Sequence, residues 1–182
     1  MADLSGKKVA FITSQKGVED AELTGPWQAL RDAGASTMLL APEQGEVATV
    51  NNDDEPADSY PVDQAIGDAD ADEFDAVVIP GGTINADTLR QDHDAVAFVT
   101  EIAGAGKPVA AICHGPWLLV EAGLAKGRRT SYPSLSTDLT NAGAEWVDEE
   151  VVVDHTGETT VITSRNPQDV PAFSEAVIDA LS

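Results

Sequence analysis

The stretch Lys107–Leu124, KPVAAICHGPWLLVEAGL, joins an apolar run to a helical pattern through Cys-His-Gly-Pro at positions 113–116. The run Pro108–Cys113 is almost continuously apolar, which is typical of a parallel strand that is buried on both faces. Gly-Pro at 115–116 favours a tight turn, because glycine tolerates unusual backbone angles and proline suits the first turn of a helix. Helical periodicity then covers Gly115–Ala122. A strand, a turn and a helix in this order predict one βα unit of an α/β sheet.

The same alternation runs along the rest of the chain. Further strands are predicted at Lys8–Thr13, Ser36–Ala41 and Phe74–Pro80, and further helices at Asp20–Ala33, Asp92–Ala103 and Pro167–Leu181. Because strands and helices alternate, the sequence predicts an α/β fold with a doubly wound, mostly parallel sheet sandwiched by helices. We expect a single domain over residues 1–182.

Three segments depart from this pattern. The first helix contains Gly25-Pro26, which predicts a kink or a break there, because proline removes a helix hydrogen bond. Residues 43–73 are acidic and rich in turn formers, and favour a surface segment with a short hairpin around Glu46–Asn51. Near the C-terminus, Glu145–Asp154 and Thr159–Ser164 are predicted to form a second hairpin.

The balance of charge limits the partners of this protein. The chain carries 32 acidic and 10 basic residues, which gives a formal net charge of −22 at pH 7. Such a charge repels nucleic acid and anionic membranes, so we expect neither as a partner. The N-terminus lacks the apolar core of a signal peptide, and no stretch reaches the ~18 apolar residues of a membrane span. The sequence therefore predicts a soluble, cytoplasmic protein.

The acidic excess also predicts that stability depends on salt. Self-repulsion is weak at ~1 M salt, where the Debye length is about 3 Å, and stronger at ~0.1 M, where it is about 10 Å. We interpret the composition as halophilic, an adaptation to a salt-rich cytoplasm; the alternative is an acidic protein from an ordinary cell. The halophilic interpretation predicts that the melting temperature rises between ~0.1 M and ~2 M KCl. Thermal unfolding followed by circular dichroism measures this. An unchanged melting temperature over that range would contradict the hypothesis.

Cys113 is the only cysteine of the chain and lies at the carboxyl end of a predicted strand, where open α/β sheets bind ligands. A strand-to-helix turn at this point has the geometry of a nucleophile elbow. The helix N-terminus is expected to lower the pKa of the thiol from about 8.5 and to offer backbone N–H groups to an oxyanion. Gly81-Gly82, at the end of another strand, is a second source of such groups. The alternative is that Cys113 is an inert buried residue.

A carboxyl group is expected beside the thiol. Glu19 follows the first predicted strand, whose end lies at the same edge of the sheet, and a protonated Glu19 could donate a hydrogen bond to the thiolate. The alternative is a solvated acid at the start of the helix. His93 and His155 are isolated in the sequence, and a single cysteine gives no recurrent ligand spacing, so no metal site is predicted.

Five segments together resemble the DJ-1/PfpI superfamily, and its PfpI-type branch in particular. They are VAFITSQKGVEDAEL (9–23), FDAVVIPGG (74–82), GKPVAAICHGPWLL (106–119), GLAKGRRTSYPSLSTDLTNAGAEWVDEEVVVD (123–154) and TSRNPQDVPAF (163–173). The resemblance implies a flavodoxin-like sandwich akin to the class I glutamine amidotransferase domain. It implies Cys113 as nucleophile, His114 as the adjacent histidine and Glu19 as the acid that touches the thiol. It also implies that the N–H groups of Gly82 and His114 form an oxyanion hole.

The resemblance leaves the peptidase triad open. PfpI-type proteases complete a Cys-His-Glu triad with an acid from a neighbouring subunit, and here Ala86 or Asp87 falls at that place, depending on a one-residue gap. Asp87 is therefore the candidate acid in trans. A homo-oligomer, either a dimer or a dimer-based hexamer, is expected by the same resemblance.

The activity implied by the resemblance is that of a deglycase or glyoxalase in stress defence, with methylglyoxal, glyoxal or their early adducts on protein or nucleotide amines as substrates. No metal or organic cofactor is required for this chemistry. One alternative is an intracellular cysteine peptidase. Another is a redox-sensing or chaperone-like stress protein, in which Cys113 is oxidised to a sulfinate. A glutaminase is disfavoured, because it needs His-x-Glu, whereas two residues separate His155 from Glu158.

Overall fold

The computed structural model describes residues 2–182. Its strands are β1 (Lys8–Ile12), β2 (Lys16–Glu19), β3 (Ser36–Ala41), β4 (Glu46–Asn51), β5 (Glu55–Pro61), β6 (Gln64–Ala65), β7 (Ala76–Ile79), β8 (Val109–Ile112), β9 (Gly127–Arg129), β10 (Ala144–Trp146), β11 (Val151–Asp154) and β12 (Val161–Ser164). Its α-helices are α1 (Asp20–Asp32), α2 (Thr83–Leu89), α3 (His93–Gly104), α4 (Pro116–Glu121), α5 (Ser136–Asn141) and α6 (Val170–Leu181). Within residues 2–182 no helix is long and apolar enough to cross a membrane.

The main sheet has seven strands in the order β11-β12-β8-β7-β1-β3-β6. All of its pairings are parallel except that of β11 with β12. The predicted doubly wound, mostly parallel α/β sheet is thus confirmed. The chain leaves β1 for β3 on one side and returns to β7 on the other, so the order of connection reverses between β1 and β7. Ligands bind at such a reversal, beyond the carboxyl ends of the strands.

Apolar residues fill both faces of this sheet, which explains why its strands are continuously hydrophobic. In β1, Val9 and Phe11 point into a cluster with α1 and α6, whereas Ala10 and Ile12 point into a cluster with α3. Helix α1 runs through Gly25-Pro26 as one helix, so the predicted break is wrong. Gly25 allows α6 to come close, because a Cβ there would lie 2.5 Å from Cγ1 of Val170.

Smaller sheets complete the fold, confirm one predicted hairpin and correct the other. The acidic segment forms the antiparallel β4–β5 hairpin, and β4 also pairs with β2 in a three-stranded sheet. Near the C-terminus, only Val151–Asp154 pairs with β12 in the predicted hairpin. Residues 144–146 instead form the separate strand β10, which pairs in parallel with β9.

A buried ion pair holds the β9 region against β11. Arg129 and Asp154 are 4% and 5% exposed, and their Nη1 and Oδ2 atoms are 2.5 Å apart. The guanidinium also donates to the carbonyl groups of Leu124, Lys126 and Arg128, so each of its N–H groups has an acceptor. Such a pair is costly to break, because the remaining charge stays buried without compensation.

Asp154→Ala is therefore expected to lower the free energy of unfolding by about 3–5 kcal/mol. The variant leaves Arg129 buried and removes the acceptor of the Arg128 and Thr156 backbone N–H groups. Urea unfolding measures the change. Glu149→Ala is the matched control, because Glu149 pairs with the exposed side chain of Arg128, and such pairs contribute at most about 1 kcal/mol. Equal losses in the two variants would contradict the prediction.

Candidate active site

Cys113 lies directly after β8, at the carboxyl edge of the main sheet. Its φ angle is +62°, in the left-handed region that residues other than glycine seldom adopt. The strain therefore falls on Cys113 itself, and not on Gly115, whose φ is −48°. Hydrogen bonds fix the strained residue, because its N–H donates to Ser164 and its carbonyl accepts from Tyr132. Strain that the surroundings hold in place in this way is typical of functional sites.

Two glycines are required for close approach around the elbow. A Cβ on Gly115 would lie 2.6 Å from the carbonyl oxygen of Ile79, so only glycine lets the turn pass the end of β7. Gly82 has a φ of +95°, and a Cβ there would lie 2.0 Å from the carbonyl oxygen of Gly17. The backbone N–H groups of Gly82 and His114 both interact with the Cys113 sulfur. Both N–H groups predicted for an oxyanion hole therefore lie beside the thiol.

The carboxyl group at the thiol is that of Glu22, in the first turn of α1, and not that of Glu19. Glu22 is fully buried, accepts a 2.9 Å hydrogen bond from the Gly81 N–H at Oε2, and lies close enough to Cys113 for each group to shift the pKa of the other. A side chain on Gly81 would collide with both, since its Cβ would lie 2.2 Å from Glu22 Oε2 and 2.6 Å from Cys113 Cβ. The predicted contact of Glu19 with the thiol is therefore corrected to Glu22.

Burial decides the protonation of this pair. Burial, and then the charge of Glu19, raise the pKa of Glu22 to about 8, so its carboxyl group is protonated at neutral pH. Burial and the nearby Glu22 also raise the pKa of the Cys113 thiol, although the N–H groups of Gly82 and His114 act in the opposite direction. The expected lowering of the thiol pKa is thus wrong, because desolvation outweighs the backbone dipoles. A thiol in this state needs a base to become a nucleophile.

His114 is the base in contact. Its Nδ1 atom is 3.2 Å from the Cys113 sulfur, and its Nε2 atom is 3.3 Å from Oγ1 of Thr83. The ring stacks on Tyr132 at a centroid distance of 4.7 Å and meets the edge of Trp117 at 5.4 Å. Burial lowers the pKa of His114, so the ring is neutral at neutral pH and can accept a proton.

Glu19 lies beside this site and holds the tip of the β4–β5 hairpin. Its carboxylate accepts the backbone N–H groups of Asn52 and Asp53, at 2.9 and 3.1 Å. Both of these residues have positive φ angles, 53° and 70°, so the turn is fixed in a conformation that is costly for residues with side chains. Glu19 is only 8% exposed, and it is therefore not the solvated acid of the alternative interpretation.

The other candidates lie apart from the thiol. Asp87 is exposed on α2, where its carbonyl accepts from Gln91. His93 is exposed at the start of α3, and His155 is exposed after β11, where it contacts Thr160. In the part of the chain that the structure describes, no group of three or more His, Cys, Asp or Glu residues is placed to hold a metal ion.

A small cavity of about 210 Å³ opens above the thiol and is lined by Glu19, Glu22, Asn52, Asp53, Cys113, Tyr132 and Pro167. A larger cavity of about 410 Å³ lies elsewhere, between α3 and the segments around Gly127 and Gly157. We assign the candidate site to the smaller one, because the Cys113 thiol, the protonated acid and the two N–H groups converge there.

Comparison with known proteins identifies the family of this chain. The sequence profile of the DJ-1/PfpI family matches residues 7–180. Protein/nucleic acid deglycase 2 of Escherichia coli K12 is 39% identical over 176 residues, which cover 96% of this chain and 98% of that protein. General stress protein 18 of Bacillus subtilis 168 is 41% identical over 170 residues, 93% of this chain and 94% of that protein.

A solved structure shows the same fold. A protein of Anabaena variabilis with DJ-1/ThiJ/PfpI-like and ferritin-like domains superimposes with a TM-score of 0.87 at 38% identity. The match covers 96% of this chain and 48% of that two-domain protein. The family profile, the two relatives and this solved structure each match almost the whole chain, and the chain therefore belongs to the DJ-1/PfpI family.

Proposed function

We propose that this protein is a cysteine-dependent deglycase or glyoxalase-type enzyme, which acts on methylglyoxal, glyoxal or their early adducts on amines and needs no cofactor. The observation that carries the proposal is the position of one strained thiol between two different proton carriers, the protonated carboxyl of Glu22 and the neutral ring of His114. The name of the Escherichia coli relative, a protein/nucleic acid deglycase, supports it.

The reaction begins with addition of sulfur to the aldehyde carbon C1. As the C–S bond forms, the thiol proton passes to Nδ1 of His114 and the Glu22 carboxyl gives its proton to the aldehyde oxygen, which yields a hemithioacetal. The N–H groups of Gly82 and His114 stabilise negative charge on that oxygen during the addition. The products of this step are a Glu22 carboxylate and a His114 imidazolium.

These two groups then move a proton between adjacent carbons. The Glu22 carboxylate takes the proton from C1 while the imidazolium protonates the C2 oxygen, which gives an enediol. Glu22 returns its proton to C2, and His114 takes the proton of the C1 hydroxyl, which leaves a thioester. Water then attacks the thioester and gives one proton to Glu22. The departing sulfur takes the proton of His114, and the net reaction is methylglyoxal plus water to lactate as its acid.

The shape and charge of the cavity suit such a substrate. Its volume of about 210 Å³ is below the ~300–1,000 Å³ of sites for drug-sized ligands, so a three-carbon dicarbonyl or the end of a modified side chain is the appropriate size. Glu19 and Asp53 line it, and a neutral dicarbonyl enters this acidic environment without electrostatic repulsion.

Lactate formation from methylglyoxal by the wild-type protein tests the proposal. We expect lactate in proportion to the methylglyoxal consumed, and glycolate from glyoxal, at neutral pH in molar KCl. Dicarbonyl loss without any hydroxy acid would show only adduct formation on the thiol and would overturn the proposal. The absence of both, with a folded protein, would also overturn it.

The peptidase alternative makes a different prediction about Asp87. A peptidase needs this exposed acid from a neighbouring subunit, whereas dicarbonyl chemistry uses Glu22 and His114 of the same chain. Hydrolysis of a fluorogenic peptide that Asp87→Ala abolishes, with lactate formation absent from the wild type, would favour the peptidase. Oxidation of Cys113 to a sulfinate without turnover of any substrate would favour the redox sensor.

A further inference from the structure

A chain of hydrogen bonds leads from His114 to a carboxylate of the same subunit. Thr83, the first residue of α2, has its Oγ1 atom 3.3 Å from Nε2 of His114 and 3.1 Å from Oδ2 of Asp53. The Thr83 backbone N–H also donates to Oδ1 of Asp53 at 2.8 Å. Asp53 therefore holds Thr83 at two points, and Thr83 contacts the nitrogen of His114 that faces away from the thiol.

The direction of each hydrogen bond follows from what each group can do. The Asp53 carboxylate can only accept, so the single hydroxyl hydrogen of Thr83 points to Oδ2. The Thr83 oxygen then presents a lone pair to His114, and Nε2 must carry the ring hydrogen. In a neutral imidazole the other nitrogen is then an acceptor. Nδ1 is therefore the acceptor nitrogen, and it lies 3.2 Å from the Cys113 sulfur.

Without the carboxylate, this direction can reverse. A Thr83 hydroxyl with no acceptor could donate to Nε2, and the ring hydrogen would then sit on Nδ1. In that tautomer the ring cannot take the proton of the Cys113 thiol. The Asp53 carboxylate, at the end of this series of hydrogen bonds, thus decides whether Nδ1 of His114 can accept the Cys113 proton.

The position of Asp53 is itself fixed by the fold. Asp53 lies at the tip of the β4–β5 hairpin, and Glu19 holds the N–H groups of Asn52 and Asp53. Because both tip residues have left-handed backbone angles, the tip would relax without these hydrogen bonds. Glu19 is buried next to the site but acts on the hairpin tip.

We propose that Asp53 is a positioning residue, which acts through Thr83 to keep His114 in the tautomer that accepts the Cys113 proton. The effect of Asp53 on turnover rests on the proposed function. In this proposal the acid that supports His114 is Asp53 of the same subunit, and not Asp87 of a neighbouring subunit. The carboxylate also faces the imidazolium that forms when His114 takes a proton, and its charge favours that state.

The direct test is the tautomer of His114, read from the ¹⁵N chemical shifts of its ring nitrogens. We expect the wild type to carry hydrogen on Nε2, with Nδ1 unprotonated. Asp53→Asn should reverse this, because the asparagine amide group donates to the Thr83 oxygen and turns the hydroxyl hydrogen towards Nε2. Thr83→Val removes the hydroxyl that connects Asp53 to His114 and leaves Asp53 unchanged. Thr83→Ser keeps the hydroxyl and should keep the wild-type tautomer. Hydrogen on Nδ1 in the wild type would overturn the proposal.

Reactivity of the thiol is the second readout. Because the acceptor at Nδ1 is lost, alkylation of Cys113 by iodoacetamide should slow by roughly 10- to 100-fold in Asp53→Asn and Thr83→Val. Lactate formation should lose kcat by a similar factor, with KM little changed. Thr88→Val, an exposed substitution on the same helix, is the matched control and should change neither rate.

These readouts separate the two proposals. A reversed tautomer and slow alkylation would support the role of Asp53 even if the wild type forms no lactate, in which case only the proposed function fails. Alkylation at the wild-type rate in both Asp53→Asn and Thr83→Val would overturn the role of Asp53, even if lactate is formed.

Discussion

Cys113→Ser is expected to reduce lactate formation from methylglyoxal by about 10⁴-fold or more, the scale seen when a nucleophile is removed from an active site. A hydroxyl group is a weaker nucleophile than a thiol, and the ester that it would form lacks the reactivity of a thioester. Serine is close in size to cysteine and can accept the same N–H groups of Gly82 and His114, so the elbow should stay intact. Lactate measured over time, with near-ultraviolet circular dichroism to verify folding, gives the result.

The chain itself supplies a simple control for this prediction. Cys113 is the only cysteine, so no other thiol can account for activity that remains, and loss of iodoacetamide labelling shows that the substitution is complete. If Cys113→Ser forms lactate at a rate within tenfold of the wild type, Cys113 is not the nucleophile, and the proposed function is wrong.

Glu22→Gln is expected to stabilise the protein at alkaline pH while it removes activity. The pKa of Glu22 is raised to about 8, above its ordinary value of 4.5, so the folded state holds one more proton than the unfolded state between these values. The contribution of this group to stability is therefore fully present below about pH 4.5 and is lost as pH rises towards 8, by about 1.4 kcal/mol per unit. Glutamine has the shape of the protonated acid and does not titrate.

The measurement is the free energy of unfolding of both proteins in urea at pH 5 and pH 8. The advantage of Glu22→Gln over the wild type should grow by roughly 3 kcal/mol between these two values. Lactate formation should fall by about 10²-fold or more, because the amide cannot exchange protons with the substrate. If Glu22→Gln differs from the wild type by the same free energy of unfolding at pH 5 and pH 8, Glu22 is already ionised in the folded protein and the prediction is wrong.

The stability gain and the loss of activity have one cause. A buried carboxyl group beside a buried thiol is a destabilising arrangement, and proteins retain such groups where the chemistry needs them. The positive φ angles of Cys113, Asn52 and Asp53 also lower the stability of the folded state. They lie together around one small cavity, which is a further reason to place the function there.

The fold was predictable because its signals are local. The continuous apolar runs of β1, β3, β7 and β8 reflect burial on both faces, and their alternation with helices allows few arrangements. The elbow was predictable for the same reason, since Cys-His-Gly-Pro follows a strand directly. The short strand β2 and helix α2 were missed, because their stability comes from packing against the hairpin and the site and not from their own sequences.

The carboxyl group beside the thiol was predicted incorrectly, because local sequence does not separate Glu19 from Glu22. Glu19 and Glu22 lie in the same turn-to-helix segment, and the carboxyl end of β1 brings both near the site. One sequence signal does favour Glu22, because Glu22, Pro26 and Leu30 recur at a spacing of four on the buried face of α1. An ionisable residue on the buried stripe of a helix is unusual, and it makes Glu22 a candidate functional carboxyl group.

The sequence by itself determined the main strands, the elbow and the place of Cys113 on it, because each depends on residues that are neighbours in the chain. Only the tertiary structure decided which groups surround the thiol. Asp53, Thr83 and His114 come from three distant segments, and their hydrogen bonds exist only because the hairpin tip folds over the start of α2. The pKa values of Cys113 and Glu22 likewise depend on burial, which is a property of the packed molecule and not of either residue.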